Sequence, residues 1–138
     1  MNPEDFVFHD LSRFPIVTAR GGRPGGYAQG WIREMEMLVD NPCSFVLVVP
    51  NLQQDMAQED RKAMVAWQTE NMPRLRARCR AFVGVERNPQ AREKTRQRGE
   101  KMSRAFGMPF LVVATAEEAV QCARELLGQS GPGGFNVT

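Results

Sequence analysis

His9 is the only histidine in the chain, so a histidine-assisted nucleophile or a metal centre would have to be built around it. No serine-rich elbow and no second imidazole accompany it. We therefore expect no catalytic residue and no metal, and expect His9 to be an ordinary surface or edge-strand residue. Asp55, Glu59 and Asp60 follow an apolar run, where paired carboxylates could hold Mg²⁺ or act as acid and base. The competing reading is that they favour the N-terminus of the next helix through its dipole. Gly21-Gly22-Arg23-Pro24-Gly25-Gly26 lies between a strand-like segment and a helical pattern, where glycine lets backbone donors approach an anion. It matches neither GxGxxG nor GxxxxGK(S/T), and a plain connection is the competing reading. Gly22, Arg23, Gly25, Asn51, Asp55 and Arg87 all follow predicted strands or open helices, and they define a candidate ligand crevice at strand carboxyl ends.

Charge points elsewhere. Between Arg74 and Arg104 stand eleven basic residues against three acidic ones, a segment of net +8 in a chain of net +2, so the remainder is −6. Such asymmetry creates a local field that the total conceals. Arg74, Arg76, Arg78 and Arg80 are expected around the exposed last turns of one helix. Arg92, Lys94, Arg96, Arg98, Lys101 and Arg104 cover the polar face of the next. A solvated face is one reading; a docking surface through Arg92, Arg96, Arg98 and Lys101 is the other. Exposed aromatics are not interleaved and no nucleic-acid motif is present, so an acidic protein is the better partner and nucleic acid the smaller branch.

The elements that must position these residues follow from hydrophobic spacing. Ser44-Phe45-Val46-Leu47-Val48-Val49-Pro50, fenced by Asn41-Pro42 and Pro50-Asn51, predicts a strand covered on both faces, as in a parallel sheet under helices. Ala81 to Val85 and Pro109 to Ala114 repeat the pattern, each after a helical stretch. Phe6-Val7-Phe8 is expected as an edge strand or irregular arm, and Phe14 to Ala19 as a strand. Tyr27, Trp31, Met35 and Leu38 mark one face of a helix that Gly30 weakens and Asp40-Asn41-Pro42 ends. Met64, Trp67, Asn71, Leu75 and Cys79 hold a second face, with a kink or restart near Pro73. Asn88-Pro89 starts a third helix, with Ala91, Thr95, Met102, Ala105 and Phe106 as its thin apolar stripe. Thr115 and Glu118 form a capping box for the last helix, whose buried face is Ala116, Ala119, Val120, Ala123, Leu126 and Leu127. The methionines are expected mainly as core filling.

The 138 residues, 42% hydrophobic and 25% charged, are expected to form a single α/β domain over 1–128, with a flexible glycine-rich tail over 129–138. The expected architecture is a mainly parallel or mixed sheet of four to five strands covered by four helices. Cys43, Cys79 and Cys122 are odd in number and lack a CxxC pair, which argues against a disulfide framework or zinc ribbon and for a reducing, cytoplasmic setting. The acidic N-terminus is unlike a secretory signal, and no apolar stretch approaches the roughly 20 residues that cross a bilayer.

From Cys43 to Leu127 the chain resembles the STAS-like domains, the superfamily of bacterial anti-sigma-factor antagonists and their relatives. The resemblance rests on the strand Ser44 to Pro50, Arg61-Lys62-Ala63 leading to Trp67, the strand Ala81 to Val85, and Pro109-Phe110 through Glu118-Ala119 to Leu127. It implies a non-enzymatic, partner-binding regulatory or accessory module without a cofactor. The family carries a phosphorylatable serine at the start of a helix after a strand. Here the corresponding stretch is Pro50-Asn51-Leu52-Gln53-Gln54, so the resemblance implies no site residue. The expected function is thus a cytoplasmic module that binds an acidic protein through a basic helical face, with a second copy of itself as a further candidate partner; the alternative is a small-molecule or phosphate-binding enzyme using the crevice.

Overall fold

The run after Asn41-Pro42 forms β3 (Phe45–Val49), the middle strand of a five-stranded sheet. A computed structural model describes residues 2–20, 27–50 and 57–128. Around β3 the chain runs β1 (His9–Arg13), β2 (Ile16–Ala19), α1 (Tyr27–Asp40), then α2 (Gln58–Glu70), α3 (Met72–Arg78), β4 (Cys79–Val85), α4 (Pro89–Phe106), β5 (Phe110–Val113) and α5 (Ala116–Leu126). The fold is α/β, with five α-helices among the described residues rather than four, because Pro73 divides the second helical stretch. Trp67 carbonyl oxygen accepts both the backbone N–H and the side-chain amide of Asn71 there, closing α2 before α3 begins.

The sheet order is β1-β2-β3-β4-β5, with β2 to β5 parallel and β1 antiparallel to β2. Each parallel crossover steps to the next neighbour in the same direction. Crossovers of one hand then keep α1 to α4 on one side, and α5, following the last strand, packs on the other. Alternation along β3 divides the core accordingly. Phe45 and Leu47 join Met35, Leu38, Trp67 and Leu75 in the larger cluster. Val46 and Val48 meet Ala81, Val83, Ala119 and Ala123 in the smaller one. Two alanines let α5 lie close to the strands it covers.

Of the two forms expected for Phe6–Phe8 the irregular arm is found: β1 begins at His9, because the amides of Val7 and Phe8 donate to the Glu34 carboxylate instead of to a ladder. Two local expectations are corrected. Cys79 and Arg80 are not on a helix; Cys79 pairs with Phe45, and β4 starts there. Met102 and Ala105 are exposed rather than part of a buried stripe, since the face of α4 that meets the sheet is centred on Gly99.

That contact closes the β5 edge of the sheet. Phe82 N–H donates to Pro109 carbonyl oxygen, so the amide of Phe110 faces away from β4, and it donates to Ser103 Oγ on α4 at 2.8 Å. A Cβ placed on Gly99 would lie 2.7 Å from the Phe110 carbonyl oxygen. Glycine at this position lets the helix backbone approach a strand edge that would otherwise be open to pairing with another chain.

Candidate functional site

Helix α4 is fixed at both ends before its charged residues come into play. Asn88 Oδ1 accepts the Ala91 amide at 2.9 Å, and Pro89 occupies a first-turn position where no N–H is needed. Gly107 ends the helix in the left-handed conformation, with its N–H on the Ser103 carbonyl. Arg76 of α3 donates to the last helical carbonyl, that of Phe106, at 2.8 Å.

The basic segment then sorts into two groups. Arg92 is half-buried, and its guanidinium donates to the backbone carbonyls of Glu86 and Arg87 at 3.0 and 3.2 Å. Arg96 is clasped between Glu93 and Glu100, one turn away on either side. The Arg96 hydrogen bond is the main cause that pulls the Glu93 carboxyl down to about 2, and Glu93 in turn holds the guanidinium charged. Arg74 bridges Glu36 at 2.8 Å and Asp40 at 2.9 Å, tying α3 to α1. These arginines serve the fold. Lys94, Arg98, Lys101 and Arg104 are exposed and have no ion pair among the described residues. Of the four residues expected to bind a partner, Arg98, whose Nη2 donates to Thr95 Oγ1 at 3.4 Å, and Lys101 are exposed without an ion pair among the described residues, whereas Arg92 and Arg96 are engaged by carbonyls and carboxylates of the chain.

With 3.6 residues per turn, Lys94, Arg98 and Lys101 at spacings of four and three form one row. The Glu93 and Glu100 carboxylates border it on one side. Met102, 38% exposed, borders it on the other side next to Arg98, and Ala105, four residues after Lys101, continues the row.

Sequence reasoning missed a second constellation. His9 and Glu34 are both 0% exposed, with Nδ1 and Oε1 2.9 Å apart. The same carboxylate accepts the Val7 amide at 2.7 Å and the Phe8 amide at 2.9 Å. Burial pushes the Glu34 carboxyl up, but the bonds from His9, Val7 and Phe8 outweigh it and hold the group below its ordinary value. His9 Nε2 has no hydrogen-bond partner among the described residues, and the ring lies 5.8 Å from that of Trp31. His9 is thus an edge-strand residue, one of the two forms expected, but its side chain lies in the core rather than at the surface. A signal existed: Glu34 shares the inward face of α1 with Tyr27, Trp31, Met35 and Leu38, and a carboxylate on such a stripe needs partners. In this arrangement the pair pins the arm before β1 onto α1.

The crevice residues have mixed fates. Gly22, Arg23, Gly25, Asn51 and Asp55 lie outside the described residues. Arg87 is exposed just beyond β4. The strands β2, β3 and β4 are parallel neighbours, so their carboxyl ends share one end of the sheet. At that end Asp60 Oδ1 accepts the Ala28 amide at 3.2 Å, placing a carboxylate on an N-terminal donor of α1 where an external anion would bind. Glu59 and Asp60 both lie in the first turn of α2, in keeping with the dipole reading. On the far side of the sheet a shallow groove of about 380 Å³ is lined by Arg13, Ala116, Glu117, Val120, Gln121 and Arg124, of mixed charge. Among the described residues no group of three or more His, Cys, Asp or Glu side chains could hold a metal ion, and no helix is long and apolar enough to cross a membrane. Comparison with protein-family models, with curated proteins and with solved structures finds no match to this chain.

Proposed function

We propose that this chain is a non-enzymatic regulatory or accessory module that binds an acidic protein partner through the outer face of α4. The observation that carries the reading is the row Lys94, Arg98 and Lys101, exposed and without ion pairs among the described residues, on a helix capped at both ends and seated on a strand edge. Charges held on a rigid element accelerate and orient encounter with an oppositely charged surface. A STAS-like lineage belongs to the same proposal and rests on the strand–helix alternation between Cys43 and Leu127. The contacting residues are Arg98 and Lys101 with Lys94 added; Arg92 and Arg96 support the face from within.

The test is affinity capture from the source cells with wild type, with K94E/R98E/K101E, and with R61E/K62E, which reverses charge on the exposed side of α2. A stoichiometric protein of net negative charge is expected with wild type and with the α2 variant, and is expected to disappear with the α4 variant. Equal capture by all three overturns the proposal, provided circular dichroism shows each variant folded.

A further inference from the structure

We infer that the partner is received as an acidic amphipathic helix lying along α4; this rests on the reading of α4 as the docking face. The cationic row is narrow. From Lys94 to Lys101 it spans about 10 Å at 1.5 Å per residue, and its three members stand at the i, i+4, i+7 spacing of a single helical edge. An acidic helix beside it can present carboxylates at the same spacing, so that three pairs form without bending either backbone. A disordered acidic segment would lose more conformational entropy to make the same three pairs.

The two borders of the row decide between classes of partner. On one side Glu93 and Glu100 flank Arg96, and the Glu93 carboxyl is ionised throughout the neutral range. Duplex DNA carries one charge per about 1.7 Å of its axis, and any polyphosphate laid on α4 would bring like charge against that border. On the other side Met102 is 38% exposed beside Arg98, and Ala105 continues the row. Methionine is an adaptable apolar contact, suited to one aliphatic side chain of the incoming helix. Cations on one flank and an apolar contact on the other are complementary to a helix that is acidic on one edge and apolar on the next. They offer a nucleic acid four cations on one helix without ion pairs among the described residues, Lys94, Arg98, Lys101 and Arg104, with two carboxylates beside them. The apolar area is small, so the complex is expected to be weak and salt-sensitive.

The experiment measures fluorescence anisotropy with three labelled probes: an alanine-based peptide of about 20 residues with Glu at i, i+4 and i+7 and Leu on the adjoining edge, a scramble of the same composition, and single-stranded RNA of matched charge. The patterned peptide is expected to bind wild type about tenfold more tightly than the scramble, and K94E/R98E/K101E is expected to lose about tenfold of that binding. Met102→Asp is expected to weaken the patterned peptide about fivefold and leave the scramble unchanged. Equal binding of the two peptides, both weakened by K94E/R98E/K101E, overturns the helical form and leaves the acidic-partner reading standing. Tighter binding of RNA than of either peptide overturns both. Absence of binding by the patterned peptide at any salt overturns the helix, and the capture experiment with the three full-length proteins then judges the docking face separately.

Discussion

Glu34 ties the N-terminal arm and β1 to α1. Its two oxygens receive three donors, two from backbone and one from His9, inside a cluster with Trp31 and Tyr27. Glu34→Gln preserves the shape but offers one acceptor oxygen and adds two N–H donors, leaving buried groups unpaired. The expected cost is about 3 kcal/mol, read as a lower urea midpoint at unchanged slope; a loss below about 1 kcal/mol would show that the arm contributes little. The pH dependence has a definite sign. The folded-state carboxyl lies below its ordinary value of 4.5, so the unfolded chain binds more protons there. The resulting stabilisation is complete above the unfolded value and is lost as pH falls through the folded one. Wild type should therefore lose stability on acidification below about pH 5 more steeply than E34Q, which lacks the titrating group. The same side chain shows what spacing reveals and what it hides. Glu34 stands visibly on the apolar face of α1, but its partners lie 25 to 27 residues away.

At the scale of elements, close approach explains two glycines that look like weak points in a helix. A Cβ at Gly30 would fall within 2.0 Å of the Phe8 ring, so α1 gives up helix propensity to seat the arm. At Gly99 the obstacle would be backbone, the Phe110 carbonyl 2.7 Å away, which cannot rotate aside. Gly99→Ala should thus destabilise by about 1 to 2 kcal/mol, although alanine favours an isolated helix by about 1 kcal/mol. Hydrogen exchange at the Phe110 amide, now held by Ser103, should rise in parallel. A stabilised variant would mean that α4 rides farther from β5 than the 2.7 Å separation implies. The strands β2, β3 and β5 and the body of β4, the restart at Pro73 and the Asn88 and Thr115 caps were legible because each depends on neighbours within a few residues; β1 and the start of β4 at Cys79 were not. The Asp60 bond to Ala28 was not, since it joins the first turns of two different helices.

Across the whole molecule the two cores are unequal. The larger one holds most of the buried bulk, and Cys79 sits within it at the start of β4, 1% exposed. Burial is the main cause that pushes its thiol up to about 12, so almost none is thiolate at neutral pH. Alkylation of Cys79 should therefore require opening of the larger core, with a rate that follows the global unfolding free energy across urea concentrations, while Cys43, which is exposed, reacts without it. Rapid native labelling of Cys79 would reveal a local opening of the β3–β4 pair. Charge is also distributed at this scale. The +8 segment spans most of α3, all of β4 and most of α4; Glu93 and Glu100, already counted within it, hold Arg96, and Glu36 and Asp40 of α1 neutralise Arg74 from outside it, leaving the outer side of α4 as the row that points to a partner.

Local chemistry in the sequence determined the α/β class, the stops at Pro42, Pro50 and Gly107, the helix starts at Asn88 and Thr115, and the basic bias of residues 74 to 104. Each of these is a matter of propensity, capping or composition over a short window. Only the tertiary structure decided that His9 is buried on Glu34, that β1 to β5 lie in chain order, and which arginines remain available. Those outcomes depend on pairs distant in sequence: His9 with Glu34, Arg74 with Glu36 and Asp40, and Arg76 with the Phe106 carbonyl are separated by 25 to 38 residues. Such contacts form once chain topology has brought the elements together and the entropy of closing each loop has been met by core burial, and no residue's own neighbours encode them.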